Sequence, residues 1–314
     1  MLDSYVYGET VRVSREAPVI VVRKEAVEHR LGGAANTAAN LAALGIKTEM
    51  LGVVGQDEGG ARIRQMLEEH SVDIAGLVDA PVTTSVKTRV MAGAFGTTRQ
   101  QVLRIDDEPL TSPSEAVKQK VVELLRQRAS EAEVIVVSDY GAGTIGPELI
   151  ELAQELVAKG KLVCVDSRRR LHLFTGMTVV TPNVPEAEDQ VGENIVTEAD
   201  VARAGSTLRE RLGCEACLLT QGRGGMTLFR EGRDAAHVNI IGEDEVADVT
   251  GAGDTVIATF AAALVAGLGM ENAMRLANCA AGVVVCKAGA AVASPAEIIA
   301  AASSVELELQ PWDA

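Results

Sequence analysis

The sequence has 314 residues, of which 47% are hydrophobic and 23% charged, and this ordinary globular balance excludes intrinsic disorder as the main state. The 29 basic and 44 acidic residues give a formal net charge of −15, which argues against duplex nucleic acid or an anionic membrane as a partner. An anionic ligand must therefore be bound locally, by backbone amides or by a few cations in a pocket.

The cysteines and the apolar segments predict a cytoplasmic protein. The five cysteines are an odd number within hydrophobic stretches, and the C-x-x-C pair of Cys214 and Cys217 has no second pair or nearby histidine to complete a zinc site. We therefore expect reduced thiols packed in a core. Asp3 and Glu9 interrupt any hydrophobic start, and the longest apolar runs are shorter than the roughly 18 residues that a membrane span requires.

The first third of the chain is rich in β-forming residues. Val19–Val22 and Val86–Met91 predict strands, and Gln101–Ile105 predicts a return strand that forms a hairpin with the second of them. The glycine-containing segment 93–98 is the predicted connecting loop.

After Thr111 the pattern changes to an alternation of helices and short apolar strands. The predicted helices are Pro113–Arg128, Pro147–Lys159, Glu198–Leu212 and two long Ala-rich helices near the C-terminus, and the predicted strands are Val134–Val137, Leu162–Val165, Thr178–Val180, Ala216–Thr220 and a hairpin near Met226–Phe229 and Ala236–Asn239. This alternation is typical of an α/β protein whose parallel sheet is covered by helices on both faces. Ligands of such sheets bind beyond the carboxyl ends of the strands, where this sequence has Asp139, Asp166, Asn183 and Thr220.

The segment Asp248–Thr255 is the strongest local signal, because it leads directly into an apolar helix. Gly251 and Gly253 allow a tight turn whose N–H groups face one point, and the helix dipole adds to their attraction for phosphate. Asp254 in the first helical turn is a candidate general base for a hydroxyl that attacks phosphorus. The alternative is an ordinary Asp N-cap. The segment lacks the terminal Lys-Ser/Thr of a P-loop and the G-x-G-x-x-G of a dinucleotide fold.

Three further segments carry candidate ligand-binding residues. Thr181–Glu186 ends a strand with an amide and a carboxylate that can be directed toward metal-bound phosphate, and the alternative is a helix N-terminus closed by a capping box. Thr220–Gly225 would let a nucleotide lie on its backbone, and the alternative is a hairpin turn. Gly32–Asn36 opens the predicted helix Ala38–Leu44 with small residues that permit close approach of a polyol, where Asn36 can donate and accept hydrogen bonds, and the alternative is a merely tight turn.

These four segments, in this order, resemble the ribokinase/PfkB family of sugar kinases, and the resemblance extends from Met1 to about Pro295. Within the family the sequence is most similar to the heptose 7-phosphate kinases of lipopolysaccharide precursor synthesis. The segments that carry this closer similarity are Met1–Gly8, Val13–Val19, Arg30–Asn36, Gln100–Asp106, Asp248–Thr255 and Ala277–Val285.

The resemblance implies the fold and the reaction. The fold would be a three-layer α/β/α domain over residues 1–314, with a mostly parallel central sheet and a small β-sheet lid formed by about residues 5–30 and 85–105. The lid would close the sugar site and pair two subunits into a homodimer. The reaction would transfer the γ-phosphoryl group of ATP, bound with Mg²⁺, to a sugar hydroxyl, and by the closer similarity to the anomeric hydroxyl of a heptose 7-phosphate.

The resemblance also implies roles for individual residues. Asp254 would be the catalytic base, and the amides of Gly251, Ala252 and Gly253 would form an anion hole over the transferred phosphoryl group. The residues implied for ATP binding are Asn183, Glu186, Thr220, Gly222, Gly225 and Asn278, with Glu186 acting on Mg²⁺ through water. The residues implied for the sugar are Asp3, Gly32, Gly33, Asn36, Lys87 and Arg104. Asp248 and Thr250 lie where relatives hold a monovalent cation such as K⁺.

Two departures from the heptose kinases concern the phosphate end of the substrate. Many of those kinases have D-Y-x-K-G where this chain has Asp139–Gly143, so the Lys is missing, and D-P-K where this chain has Asp166–Arg170. We expect Arg168, Arg169 or Arg170 to replace the Lys through a bidentate contact with the substrate's phosphate, and the alternative is a solvated basic loop. The four histidines form no H-x-x-H cluster, so we expect a kinase without the adenylyltransferase domain of bifunctional relatives.

Alternatives remain within the family and outside it. A kinase for another sugar or sugar phosphate is the alternative within the family. A catalytically silent sugar- or nucleotide-binding protein would have the same fold, but the presence of both Asp254 and Glu186 weighs against it. A dinucleotide-dependent dehydrogenase is suggested by Gly32 and Gly33 at a helix start, and it fails for want of G-x-G-x-x-G.

The beginning of the sequence yields a separate prediction. Relatives begin with an apolar strand a few residues before the Met-Leu-Asp that stands at Met1–Asp3 here. Without that strand, two strands of the sheet would have unpaired N–H and C=O groups beside an open slot in the apolar interior. The sequence therefore predicts a native start upstream of Met1.

Overall fold

The computed structural model describes residues 1–94, 98–241, 248–303 and 310–311. Its helices are α1 (Ala34–Ala43), α2 (Glu58–Glu69), α3 (Glu115–Arg128), α4 (Pro147–Ala158), α5 (Val184–Val191), α6 (Glu198–Leu212), α7 (Ala252–Val265), α8 (Met270–Val285) and α9 (Pro295–Ser303). Its strands are β1 (Leu2–Val13), β2 (Ile20–Leu31), β3 (Gly52–Gly55), β4 (Leu77–Ala80), β5 (Val86–Gly93), β6 (Gln100–Asp107), β7 (Val134–Asp139), β8 (Leu162–Ser167), β9 (Val179–Val180), β10 (Ala216–Thr220), β11 (Met226–Arg230), β12 (Arg233–Val238) and β13 (Gln310–Pro311).

Seven strands form the central sheet, in the order β13-β12-β11-β10-β9-β8-β7. The pairs from β7 to β10 are parallel, and the pairs from β10 to β13 are antiparallel. Parallel neighbours require crossover connections, and α4 and α6 provide two of them. The carboxyl ends of β7, β8 and β9 therefore meet at one edge of the sheet.

Helices cover both faces of this sheet, and the alternation of side chains along each strand separates two cores. In β8, Val163 and Val165 pack with α3, α4 and α6, whereas Cys164 packs with α7 and α8. In β10, Leu219 packs in the same core as Val163 and Val165, and Leu218 packs in the same core as Cys164. The predicted α/β class with helices on both faces is confirmed.

A second, four-stranded sheet has the order β2-β1-β5-β6. Its pairs β1–β2 and β5–β6 are antiparallel, and β1 and β5 are parallel. The predicted hairpin of β5 and β6 is confirmed, whereas part of the predicted 93–98 loop lies outside the described residues.

The helix predicted at Ala38–Leu44 begins four residues earlier, and this prediction of its start is wrong. Gly33 is the N-cap at φ 55°, in the left-handed region that glycine adopts without strain, and α1 begins directly after it. Asn36 therefore lies in the first turn of α1 and not in the turn before it.

A cavity of about 690 Å³ lies between β3 and β7, and α1 and α3 also contribute to its lining. The strands β3 and β4 form a separate parallel pair, and β7 is the last strand of the central sheet. Apolar side chains that line the cavity include Leu41, Val53, Ile135 and Val137. Met1 lines the cavity as well. An open slot between two strands is thus present, while the upstream start of the chain stays a prediction.

No helix within the described ranges has the length and apolar character needed to span a bilayer.

Candidate active site

Asp254 lies at the start of α7 and is almost completely buried, with 2% of its surface exposed. Gly251 occupies the N-cap position at φ 82°, the helix begins at Ala252, and Asp254 is the third helical residue. The alternative interpretation of Asp254 as the N-cap is therefore wrong. Because the carboxylate does not cap its own helix, it is available for contacts with other elements.

Three side chains donate hydrogen bonds to this carboxylate. Asn36 Nδ2 donates to Oδ2 at 3.0 Å, Thr37 Oγ1 to Oδ1 at 3.3 Å, and Tyr140 Oη to Oδ1 at 2.8 Å. Burial raises the pKa of Asp254 to about 6, although the three hydrogen bonds favour the charged form and oppose the shift. A carboxylate whose pKa lies near neutral pH is suited to accept a proton from a substrate hydroxyl.

Two glycines allow the donors to approach Asp254 closely. A Cβ atom on Gly251 would lie 2.6 Å from Asn36 Nδ2, and one on Gly33 would lie 3.0 Å from the Tyr140 ring. A side chain at either position would therefore displace a hydrogen-bond donor of the Asp254 carboxylate.

The start of α7 offers backbone N–H groups to an anion, because the first amides of a helix have no acceptor within it. Of the predicted anion-hole amides, that of Ala252 donates to the Val249 carbonyl at 3.3 Å. Gly253 faces open space, since a Cβ atom there would meet nothing within 4 Å. Of the three predicted anion-hole residues, Gly253, one residue before Asp254, is the exposed one.

Asp3 adjoins this centre from β1. Its side chain is buried, it forms an ion pair with Arg89 of β5, and a Cβ atom on Gly32 would lie 2.6 Å from its Oδ2. Asp3, Gly32, Gly33 and Asn36 thus lie together around one end of the Asp254 site.

Lys87 of β5 is the register partner of Asp3, whereas Arg104 lies on the neighbouring strand β6. Lys87 Nζ is 3.0 Å from carboxylate oxygens of both Asp106 and Glu108, and Arg104 Nε is 2.9 Å from Asp106. The two predicted substrate contacts are therefore paired with acidic residues on β6 or directly after it.

Asn183 and Glu186 form the capping box that the sequence offered as the alternative interpretation. Asn183 Oδ1 accepts from the Glu186 amide at 2.9 Å, and Glu186 Oε2 accepts from the Asn183 amide at 3.0 Å. Burial raises the pKa of Glu186 despite these contacts. The box holds the Glu186 carboxylate at the start of α5.

Asp166, at the carboxyl end of β8, is close enough to Glu186 and Asp254 to interact with both charges. Burial raises the pKa of Asp166 well above its usual range, the two neighbouring carboxylates raise it further, and Arg168 lowers it. Within the ranges that the structure describes, no three His, Cys, Asp or Glu side chains are arranged as a complete metal site.

The three arginines after β8 have different surroundings. Arg170 donates to Asp139 through Nε at 3.0 Å and Nη2 at 2.8 Å, so it holds the end of β7. The Arg168 guanidinium lies 5.1 Å from the centre of the Tyr140 ring, and its side chain is exposed, as is that of Arg169. Arg170 is therefore unsuited to the substrate-phosphate contact, which leaves the other two.

The predicted nucleotide residues lie along one edge of the central sheet. Thr220 ends β10, and Gly222–Gly224 form a short 3₁₀ turn into β11, so this segment is a hairpin as the alternative interpretation held. Gly225 has φ 76°, and a Cβ atom there would lie 2.0 Å from the Val238 carbonyl. Asn278 of α8 donates to the Asn239 carbonyl at 2.7 Å, which fastens the end of β12 to α8.

Asp248 and Thr250 stand just before α7. The Asp248 carboxylate accepts from the amides of Thr250 at 2.9 Å and Gly289 at 3.1 Å. The predicted cation site thus includes a carboxylate that ties two loops together.

Three residues of this site were not among the sequence candidates. Thr37 and Tyr140 contact Asp254, and Arg89 contacts Asp3. The alternation of side chains along a strand could have indicated Arg89, because it lies two residues from Lys87 and so on the same face.

Comparison with known proteins identifies the family. Residues 1–297 match the model of the pfkB family carbohydrate kinases. The chain belongs to this family. The resemblance read from the four segments is therefore confirmed.

Several curated relatives of this chain share the name bifunctional protein HldE. The protein from Geobacter sulfurreducens is 40% identical over 302 residues, covering 95% of this chain and 60% of the relative. The one from Pseudomonas fluorescens is 42% identical over 300 residues, covering 95% of this chain and 61% of the relative. The chain thus spans about three fifths of the length of these relatives.

Solved structures share the fold at low sequence identity. Ribokinase from Arabidopsis thaliana, complexed with ribose and ATP, aligns with a TM-score of 0.75 at 21% identity, over 96% of this chain and 95% of that one. Phosphofructokinase-2 from Escherichia coli, in complex with potassium, aligns with a TM-score of 0.80 at 18% identity, over 96% and 95% of the two chains. These alignments confirm the ribokinase-like fold.

Proposed function

We propose that the chain is an ATP-dependent sugar kinase that transfers the γ-phosphoryl group to the anomeric hydroxyl of a heptose 7-phosphate. The observation that carries the proposal is the buried Asp254, whose pKa burial raises to about 6, at the start of a helix whose amides can face an anion. The sequence similarity to heptose kinases and the relatives named HldE support the choice of sugar.

In the proposed reaction Asp254 accepts the proton of the sugar hydroxyl as its oxygen bonds to the γ-phosphorus and the bond to the β-phosphate oxygen breaks, releasing ADP. The open amide of Gly253 and the dipole of α7 stabilise the charge on the transferred group. Asn36 and Thr37 orient the carboxylate by their hydrogen bonds. Asp3 and the glycines beside it would hold other hydroxyls of the sugar.

The residues present fit a magnesium ion bound with ATP. Burial raises the pKa of Asp166 and the nearby Glu186 carboxylate raises it further, so a cation at this position would stabilise the charged form of Asp166. Glu186 would hold the ion through water, and the ion would supply positive charge to the phosphates. Because Asp248 and Thr250 lie where members of the family hold a monovalent cation, we propose that K⁺ binds there.

We propose that the phosphate of the substrate is bound by Arg168 or Arg169. Both are exposed, whereas Arg170 is engaged with Asp139. Guanidinium groups suit bidentate contact with phosphate. If this assignment holds, R168A or R169A raises the KM for the sugar phosphate.

We propose further that the four-stranded sheet is a lid over the sugar and pairs two subunits. Leu103 and Ile105, 53% and 48% exposed, lie on one face of β6. Covering such side chains is favourable. The double variant L103D/I105D should elute as a monomer where the parent is a dimer, whereas V196D, at an 83% exposed residue on another surface, should not change the mass. Light scattering measures both.

The five cysteines are free thiols, four of them buried, which supports the cytoplasmic location that we propose.

A melting screen tests the proposed function. Sugar monophosphates are added with and without ATP·Mg²⁺, and ADP release is followed in parallel, because a ligand that binds only the folded chain raises Tm. A heptose 7-phosphate should give the largest shift and sugar-dependent ADP release. If ADP is released only with another sugar, that sugar is the substrate instead of a heptose 7-phosphate. A shift in Tm without any ADP release would favour the catalytically silent binding protein.

A further inference from the structure

The Tyr140 side chain is fixed on three sides. Its hydroxyl donates to Asp254 Oδ1 at 2.8 Å. A Cβ atom on Gly33 would lie 3.0 to 3.1 Å from ring carbons, so that glycine borders the ring directly. The Arg168 guanidinium lies 5.1 Å from the ring centre, a distance typical of a cation–π contact.

Tyr140 provides the shortest of the three hydrogen bonds to the base. Thr37 shares Oδ1 but lies 3.3 Å away, and Asn36 binds the other oxygen. Without the tyrosine hydroxyl, Oδ1 would keep only the longer contact and the carboxylate would rotate more freely. Burial raises the pKa of Tyr140 far above its usual range, so the hydroxyl remains a neutral donor wherever the enzyme is folded.

Other charges near Asp254 come from different elements. Asp3 of β1 and Asp166 of β8 are neighbouring carboxyl groups, and the buried amino group of Met1 also interacts with Asp254. Arg168 follows β8, and its charge acts on Tyr140, Asp166 and Glu186.

We propose that Tyr140 is a positioning residue that orients Asp254 for proton transfer, and that Arg168 holds the Tyr140 ring in place. The inference rests on the proposed function, because it assigns Asp254 as the base. The tyrosine itself neither gains nor loses a proton in the reaction. Arg168 acts on the base through the ring, a role separate from contact with the substrate's phosphate.

The test measures kcat, KM and the pH profile of ADP release for Y140F, R168A, R168K and the control R126A, at an exposed arginine of α3 outside the site. Loss of a hydrogen bond to a charged group is worth roughly 10- to 100-fold, so Y140F should lower kcat by that factor while the KM for ATP stays within about twofold. Since the tyrosine bond lowers the pKa of Asp254, its removal should move the acidic limb of the profile to higher pH. R168A should shift kcat and the limb in the same direction, R168K should recover part of both, and R126A should resemble the parent.

The double variant Y140F/R168A separates positioning from independent effects. If Arg168 acts through the ring, the double variant should lose little more kcat than Y140F alone. Additive losses of kcat in the double variant would overturn the role of Arg168, and so would an R168A variant with altered KM and unchanged kcat. A Y140F variant with the parental kcat and pH profile would overturn the role of Tyr140. An inactive parent chain would instead count against the proposed function. Unchanged Tm of each variant excludes misfolding as the cause.

Discussion

At the scale of single residues, the centre of this protein is a carboxylate that the fold buries at a cost. Asp254 is 2% exposed, and three neutral donors only partly replace the water it has lost. The result is a carboxylate whose pKa lies near 6 instead of near 4. The proposed proton transfer and the folding stability therefore depend on the same group.

The first prediction concerns the pH dependence of stability. Because the folded pKa of Asp254 exceeds its unfolded value, protonation favours the folded chain, and the benefit present below pH 4 is lost as the pH rises through about 6. The shift corresponds to about 3 kcal/mol. D254N should therefore melt at a higher temperature than the parent at pH 8 and at a similar temperature at pH 4.

Calorimetry at the two pH values checks this, with D234N at an exposed carboxylate as the control. The control should follow the parent at both. Equal differences between D254N and the parent at pH 4 and pH 8 would show that the buried charge carries no such cost.

At the scale of elements, the two glycines at the start of α7 have different roles: Gly251 is required by the backbone conformation, and Gly253 by the proposed anion site. Gly251 has φ 82° and no room for a Cβ atom, whereas Gly253 is helical with open space beside it. An alanine would strain the first position, but at the second it would only reduce the access of an anion to the amide.

G251A should accordingly lower Tm, since it combines a positive φ with a contact of 2.6 Å to Asn36. G253A should leave Tm unchanged or raise it slightly, because alanine in a helix increases the free energy of unfolding by up to about 1 kcal/mol relative to glycine. It should nevertheless weaken ATP-dependent turnover by at least about tenfold, the effect of a misplaced phosphoryl group. Melting curves and ADP release measure the two effects, and a G253A variant with full turnover would contradict the anion hole at Gly253.

The local sequence pattern predicted the helices and strands better than the contacts between them. Periodicity and end signals predicted α6 over Glu198–Leu212 and β10 over Ala216–Thr220 with the bounds observed. The contact of Tyr140 with Asp254 joins residues 114 apart in sequence, and that of Arg89 with Asp3 joins residues 86 apart. Local patterns carry no information on which distant strand ends meet, so these partners appear only in the fold.

At the scale of the whole molecule, the interior contains the cavity between β3 and β7. Protein interiors have few voids larger than a water molecule, so a cavity of about 690 Å³ leaves apolar side chains such as Leu41 and Val53 without packing partners on one side. The carboxyl ends of both strands lie near Met1. At the end of β7, Tyr140 borders Gly33, which also borders Met1. At the end of β3, the Gly55 amide donates to Thr84 Oγ1, and the next residue, Ser85, accepts from the amide of Leu2. A strand that leads into Met1 would thus run parallel to both.

The sequence prediction of such a strand can be tested by adding one. Five or six apolar β-forming residues joined to Met1 should raise Tm by more than about 5 °C, because they fill the slot and pair two strand edges. A matched extension with two prolines should not, since proline removes the N–H donors of a strand. Equal Tm values for both extensions would mean that no strand occupies the slot.

The central claim is that Asp254 is the base of a sugar kinase, and the turnover of D254N tests it most directly. The substitution keeps the side-chain volume and removes the proton acceptor. Sugar-dependent ADP release should fall by about 10²- to 10⁴-fold, while calorimetric titration should give the parental affinity for ATP·Mg²⁺. Turnover within a few-fold of the parent, with ATP binding intact, would contradict the claim.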